Sequence, residues 1–337
     1  MGQSNSSRGP RGRPGNKKLR RVNPWIFWAK LILLVLLLTA TGFGVISLEG
    51  IAKLPFQIVL GVLFAHAIEL VHQCLHKTAT GRTDVDHFLG MVLGWLGLVS
   101  LWYYLYWHWW HHRNNGTEED QESFGYAYEL LQSPSRRTRI LGFLWHLSQL
   151  QHYFMALSRM YLAVSGRLYP ELKVTTPEMP DHTARLIQRD YRIMTAILSL
   201  AVLASFAWQS TLVLQLWLVP LLLAYGLAHA LIELPEHFQC DHSTRDVSRN
   251  TRTIKAGRFM RWLTNFNDLH REHHYDPHIP MDKLPTYAQS LQGQQEYKYL
   301  EVSYLIFYIC VLCYLWKGNP AVFSATYGRA TLLPRCN

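Results

Sequence analysis

The chain has 337 residues, a formal net charge of +10, and a composition that is 49% hydrophobic and 13% aromatic. That apolar share is gathered into blocks rather than spread evenly, which excludes an ordinary soluble domain and points to a membrane protein. The five cysteines (Cys74, Cys240, Cys310, Cys313, Cys336) show no disulfide framework, and the CxxC of Cys310 and Cys313 lies inside the apolar run "YLIFYICVLCYLW", where small apolar fillers are expected rather than a redox or zinc site.

Residues 1–23 read as a disordered basic arm. Arg8, Arg11, Arg13, Lys17, Lys18, Arg20 and Arg21 precede the first apolar run with no acid among them. Such an arm can bind nucleic acid. Beside a membrane span it instead holds the N-terminus in the cytoplasm or touches anionic lipid, so no nucleic-acid partner is expected. The Arg20-Arg21 pair has the look of an export signal, but the following segment is too long and lacks a small-residue cleavage site, so it reads as an uncleaved first span.

Apolar runs at 24–48, 54–76, 191–208 and 212–232 are each close to the roughly 20 residues a helix needs to cross a bilayer core. They form two hairpins, the first turning through "SLEGIAKLP" at Gly50 and Pro55. Segment 88–107 is long enough to span, but its glycines at 90, 94 and 97 also allow an interfacial or re-entrant path, which keeps the histidines on one side. Residues 113–190 are polar and mixed, with helices expected around 136–165. Residues 238–300 look soluble, and the run at 303–316 is short for a span. The expected fold is an all-α integral membrane protein with about four transmembrane helices in two hairpins under a cytoplasmic helical cap. Residues 24–317 form one domain and 318–337 a C-terminal tail.

The chemistry lies in histidines. "HQCLH" supplies His72 and His76; "HWWHH" supplies His108, His111 and His112; "HREHH" supplies His270, His273 and His274. Positions i, i+3 and i+4 share one helix face, so each group presents its rings to one point. Surface histidines on amphipathic helices would explain a lone ring, not two matched HxxHH triplets. Imidazole suits Zn, Cu, Fe and Ni, so residue type leaves the metal open. A structural zinc needs four ligands, whereas eight or nine clustered histidines indicate two metals with open positions. Soluble di-iron bundles use glutamates with Glu-x-x-His pairs. Glu69 and His72 make one such pair with no second copy, so Glu69 reads as a hydrogen-bond partner of a histidine, with direct ligation as the alternative. His66 is expected to bond within the bundle. His87, His146, His152, His182, His242 and His278 lack cluster geometry and read as structural.

These boxes resemble those of the membrane fatty acid desaturase superfamily over roughly residues 60–290, together with "EH" at 236–237, "DVDHFLG", and "NTRTI" ahead of "HREHHYDPHIP". The resemblance implies a non-haem centre of two Fe ions on the cytoplasmic face. With O2 as co-substrate it would remove hydrogen from unactivated carbons of a lipid-borne or carrier-borne acyl chain. Carried over by residue, it implies ligands His72, His76, His108, His111, His112, His270, His273 and His274, with His237 as an additional one. Some relatives place a water-linked Asn one turn before that last histidine. This chain has Glu233 there, which would bind or bridge metal or else neutralise an Arg, and His229 shares its face as a further candidate. Asn267, Asp268 and Asp276 are candidate acceptors for ring N–H groups, or helix caps.

The acyl chain is expected in a tunnel opening to lipid and lined by aromatics of 95–110. Electrons are expected from a separate ferredoxin or cytochrome b5-type protein, whose acidic surface would suit the positive face. A lipid or carotenoid hydroxylase or ketolase is the alternative on the same scaffold. A histidine-rich metal transporter would string ionisable residues along a mid-bilayer pathway, and a bis-histidine haem protein would need single histidines on facing spans. Clusters gathered at one end of the spans speak against both.

Overall fold

The computed structural model describes residues 17–120, 128–291 and 301–324. Arg8, Arg11, Arg13 and Cys336 lie outside them. Helix α1 (Pro24–Ser47) begins where the Asn23 side chain accepts the Trp25 N–H and Pro24 sets the first turn. Gly50, at φ +54°, turns the chain into a 3-10 segment and then α2 (Leu54–Leu75). The return brings α2 against the fourth span at Gly61, where a Cβ would sit 2.5 Å from the Pro220 carbonyl.

The stretch 88–107 is not one helix. α3 (Thr83–Gly94) ends in a 3-10 turn, Leu98 takes a left-handed φ of +59°, and α4 (Leu101–Asn114) starts afresh. Ser100 caps α4 by accepting the Tyr103 N–H. Its hydroxyl and the Trp95 indole also donate to the Asp190 carboxylate, at 2.8 and 2.9 Å. Asp190 thereby ties this corner to the third span.

The polar middle folds as α5 (Tyr128–Leu131), α6 (Arg136–Ser148), α7 (Leu150–Val164) and α8 (Leu168–Thr175), with the α6–α7 break at Gln149 in a left-handed conformation. The third long helix, α9 (Asp181–Ala207), starts well before the apolar run at 191–208 because its opening turns carry Asp181, Arg185, Arg189 and Asp190. The fourth, Leu214–His237, passes through two π-helical stretches either side of Pro220, which has no N–H to donate, and ends in α10 (Gly226–His237). Then follow α11 (Val247–Asn250), β1 (Thr253–Lys255), α12 (Arg258–Leu263), α13 (His270–Tyr275), α14 (Leu284–Leu291), β2 (Glu301–Ser303), α15 (Tyr304–Lys317) and α16 (Ala321–Ser324). β1 and β2 pair in parallel, Thr253 opposite Glu301. This small sheet departs from an all-helical expectation; strands of three residues are too short to display a period of two.

Four helices are therefore long and apolar enough to cross a membrane. They divide by burial. The most apolar windows of α2 and the fourth span are 67% and 44% buried, against 11% for α1 and 17% for α9. The inner pair forms the core, and the outer pair presents Leu33, Val35, Leu200 and Leu203 to the surroundings.

Two expectations need correction. Residues 17–23 are not a loose arm: Leu19 packs with Leu269, Ile279 and Leu284, and Arg20 reaches Asp276. Cys313 is disulfide-bonded, whereas Cys74, Cys240 and Cys310 are free.

Candidate metal centre

Each histidine group is delivered by an element whose end lies at the same side of the bundle. α2 carries His72 in its last turn and ends on His76. α4 carries His108, His111 and His112, and α10 ends on His237. The third group rides on α13, entered through Asn265 and Phe266 at φ +50° and +68°. Asn265 pins that turn to α2 and α1. Its amide donates to the Glu69 carbonyl at 3.1 Å and to Gln73 Oε1 at 3.0 Å, and it accepts from Lys30 Nζ at 2.7 Å. The far side of α13 is held by Glu272, which receives Thr253 Oγ1 at 2.7 Å and Arg271 at 3.0 Å.

The rings converge into two constellations. His72, His76, His108, His112 and His273 form one; His111, His237, His270 and His274 form the other. In the five-ring group, Nε2 atoms stand 2.9 Å apart for His72–His108, 2.8 Å for His76–His108, 3.0 Å for His112–His108 and 3.1 Å for His112–His273. In the four-ring group the contacts close a loop: His111–His237 3.1 Å, His237–His270 2.9 Å, His270–His274 3.0 Å and His274–His111 3.3 Å. A square of side about 3 Å has its centre about 2.1 Å from each corner, which is a metal–nitrogen bond length. The groups adjoin, with the His112 and His274 rings 4.2 Å apart between centroids.

Protonation agrees with ligation. Burial, reinforced by neighbouring rings, holds His76, His108, His112, His270, His273 and His274 well below the ordinary imidazole value, so they stay neutral and keep a lone pair. In three rings of the four-ring group the other ring nitrogen donates to a fixed acceptor. Nδ1–H donates to Asp120 Oδ1 at 2.8 Å from His111, to the Asn250 carbonyl at 3.0 Å from His237, and to Asn267 Oδ1 at 2.9 Å from His270. Those bonds leave Nε2 unprotonated and facing inward. The residues present thus suit two metal ions bound through imidazole.

The acids fall out differently. Asn267 meets a ring N–H as expected. Asp268 instead takes Arg261, at 3.1 Å, and Asp276 takes Arg20, at 3.0 Å. Glu233 faces His229 at 3.0 Å, and neither belongs to either constellation. Glu69 is buried and turned to Asn267 rather than to a ring. The carboxylate at the centre is Glu236: Oε2 lies 3.3 Å from His270 Nε2, and Oε1 accepts the Asn267 amide at 2.8 Å. Sequence reasoning missed it and Asp120. The "EH" pair held the signal for Glu236, whereas Asp120 sits past the end of α4 with none. His66 bonds within the bundle as expected, its Nδ1 2.8 Å from the Leu263 carbonyl.

A fold of four apolar spanning helices, capped at one end by nine converging histidines, defines a membrane protein able to hold a metal pair. Residues 49–306 match the family model described as fatty acid desaturase, and the chain belongs to that family, an oxidoreductase family. A comparison with curated proteins found no match.

Proposed function

We propose that the chain is an O2-dependent desaturase that inserts a double bond into an unactivated hydrocarbon chain, and that its nine clustered histidines hold two Fe ions. The observation that carries this reading is the pair of adjacent imidazole constellations, each of the right spacing for one metal. A methylene C–H bond has no acidic proton, so side-chain acid–base chemistry cannot break it, and bound iron would supply the activation of O2. Removing two hydrogens from adjacent carbons consumes one O2, two electrons and two protons, and releases two waters. The electrons come from a separate one-electron carrier of the ferredoxin or cytochrome b5 type.

The chain's own residues contribute position. His72, His76, His108, His112 and His273 would hold one ion; His111, His237, His270 and His274 the other. Asp120, Asn267 and the Asn250 carbonyl fix ring orientation, and Glu236 places a carboxylate beside His270. Lys17, Lys18, Arg20 and Arg21 lie at the α1 end that carries the site, which favours a cytoplasmic N-terminus and a cytoplasmic centre. The test is metal analysis of purified protein together with lipid profiling of a host that expresses it. Iron in the protein and new double bonds in host lipids support the reading. Zinc alone, or unchanged lipids with iron-loaded protein and a supplied reductant, overturns it.

A further inference from the structure

Trp109 stands between the five-ring constellation and the protein surface. It follows His108 by one residue, about 100° round α4, so it flanks the inward-facing histidines instead of joining them. Its half-buried ring lies 5.0 Å from His76 and 5.7 Å from His112 between centroids. On the other side it lies 5.7 Å from His278, which is exposed and belongs to neither constellation. Three packed rings therefore run from the surface to the five-ring site.

The edge around these rings is basic. Lys77 directly follows His76 and is exposed. Arg113, also exposed, donates its Nε–H to the Trp109 carbonyl at 3.2 Å. Neither pairs with a carboxylate among the described residues. Asp276, two residues before His278, is already neutralised by Arg20.

The four-ring site meets the surface differently. His111 reaches outward through Asp120, and exposed Glu118 and Glu119 stand beside it. Asn250 and Asn267, which supply the outer acceptors of His237 and His270, are buried. A negatively charged protein is attracted to the first edge and repelled by the second.

We propose that electrons enter the metal pair through the five-ring site, with Trp109 as the bridge from an acidic one-electron carrier docked over His278, Lys77 and Arg113. This rests on the desaturase reading and adds to it the port and the side of entry. In each transfer the carrier loses one electron and one ferric ion becomes ferrous. Two transfers deliver the two electrons consumed per double bond. Trp109 keeps its own electrons and proton; its ring narrows the gap that the electron crosses. Electron-transfer encounters are small, often under about 1,200 Å², so one ring edged by a few charges is a sufficient target.

The probes are a plant-type ferredoxin and the soluble haem domain of cytochrome b5. Each is reduced and mixed by stopped flow with the iron-loaded full chain in nanodiscs. With the carrier that reduces it faster, Trp109→Leu should lower the saturating rate at least about tenfold without changing the carrier concentration at half-saturation, and Trp109→Phe should recover most of the loss. The double variant Lys77→Glu, Arg113→Glu should do the reverse: half-saturation rises about tenfold at low salt, the saturating rate holds, and the difference closes at high salt. A second readout needs no turnover. A photo-crosslinking amino acid at position 278 should capture the oxidised carrier, and one at position 118 should not.

Capture at 118 in preference to 278, or of neither carrier at 278, overturns the proposal whether or not the variants load iron. So does an unchanged saturating rate in iron-loaded Trp109→Leu, or unchanged half-saturation in the charge-reversed variant. Lipid profiling separates the two claims. New double bonds with reduction indifferent to Trp109 sink this inference alone. Reduction through Trp109 with no new double bonds sinks the desaturase reading and leaves the port standing.

Discussion

The two histidine constellations share α4 and α13 yet are held in place by different means. In the four-ring group, His111, His237 and His270 each hand an Nδ1–H to a fixed acceptor. In the five-ring group, the Nδ1 atoms of His76, His112 and His273 have no hydrogen-bond partner among the described residues. Those rings are positioned by packing: His76 against Trp109 at 5.0 Å, His108 against Tyr104 at 5.4 Å, and edge contacts among themselves. Outer hydrogen bonds to metal-binding histidines typically carry about 10–100-fold in metal affinity. One constellation thus depends on bracing, and the other on a fifth nitrogen and steric confinement.

The bluntest way to break that contrast is to remove a ring from each side. His111→Ala should empty the four-ring site and His273→Ala the five-ring site, each dropping bound iron from two ions toward one. Because the proposed reaction needs the pair, product formation should fall by on the order of a thousandfold or more in both variants. Iron counting beside lipid profiling checks it. Two ions retained in either variant would mean that the rings do not serve separate metals.

Acid should strike both sites alike. In the unfolded chain these imidazoles take up protons near 6.5, while burial in the metal-free fold keeps His76, His108, His112, His270, His273 and His274 well below that value. The unfolded state then binds more protons, so stability is full above about pH 6.5 and is lost as pH falls below it, by up to about 1.4 kcal/mol per ring per unit. Melting of metal-free protein at pH 7.5 and 5.5 tests the sign. A melting temperature that holds or rises at the lower pH contradicts it.

The bracing itself can be tested at Asp120. Asp120→Ala should weaken metal binding at the four-ring site about 10–100-fold and leave the five-ring site loaded. A chelator titration followed by iron counting should show one ion leaving early. Two ions leaving together would show that the constellations act as one unit.

The parts of this arrangement that could be read in the sequence are those encoded locally. HxxxH and HxxHH on a helix specify their own geometry, so the eight rings of the three boxes were legible from spacing, whereas His237 came only with the family resemblance. The acceptors were not legible. Asp120 follows α4 without a periodic pattern, and the Asn250 carbonyl is backbone, which any residue supplies. Glu236 was displaced by Glu233 because counting back one turn from His237 assumes an undisturbed helix, whereas α10 contains Pro235 and ends on His237 itself. The same limit holds for the fold. Long apolar runs marked the spans, but the polar opening of α9 and the left-handed break at Leu98 depend on the Asp190 contacts, which bring together residues ninety or more positions apart. The three-residue strands exist only because they meet each other.

The smallest effect is expected at Arg20, and it sharpens the comparison most finely. Arg20 places Nε and Nη2 3.1 and 3.0 Å from Asp276 Oδ2, so the segment before α1 touches the third histidine box two residues beyond His274. The geometry resembles the Asp120 brace, yet the Arg20 side chain is 36% exposed and Asp276 2%. Water competes for the guanidinium, so the pair contributes about 0.2–1 kcal/mol. Its contact is to the Asp276 carboxylate in the turn after α13 rather than to a ring. Arg20→Gln should therefore lower the melting temperature slightly and shift chelator resistance of the four-ring site by less than about threefold, well short of the range for a direct acceptor. A loss of tenfold or more would place the N-terminal segment among the braces and make the four-ring site dependent on how the chain enters the membrane.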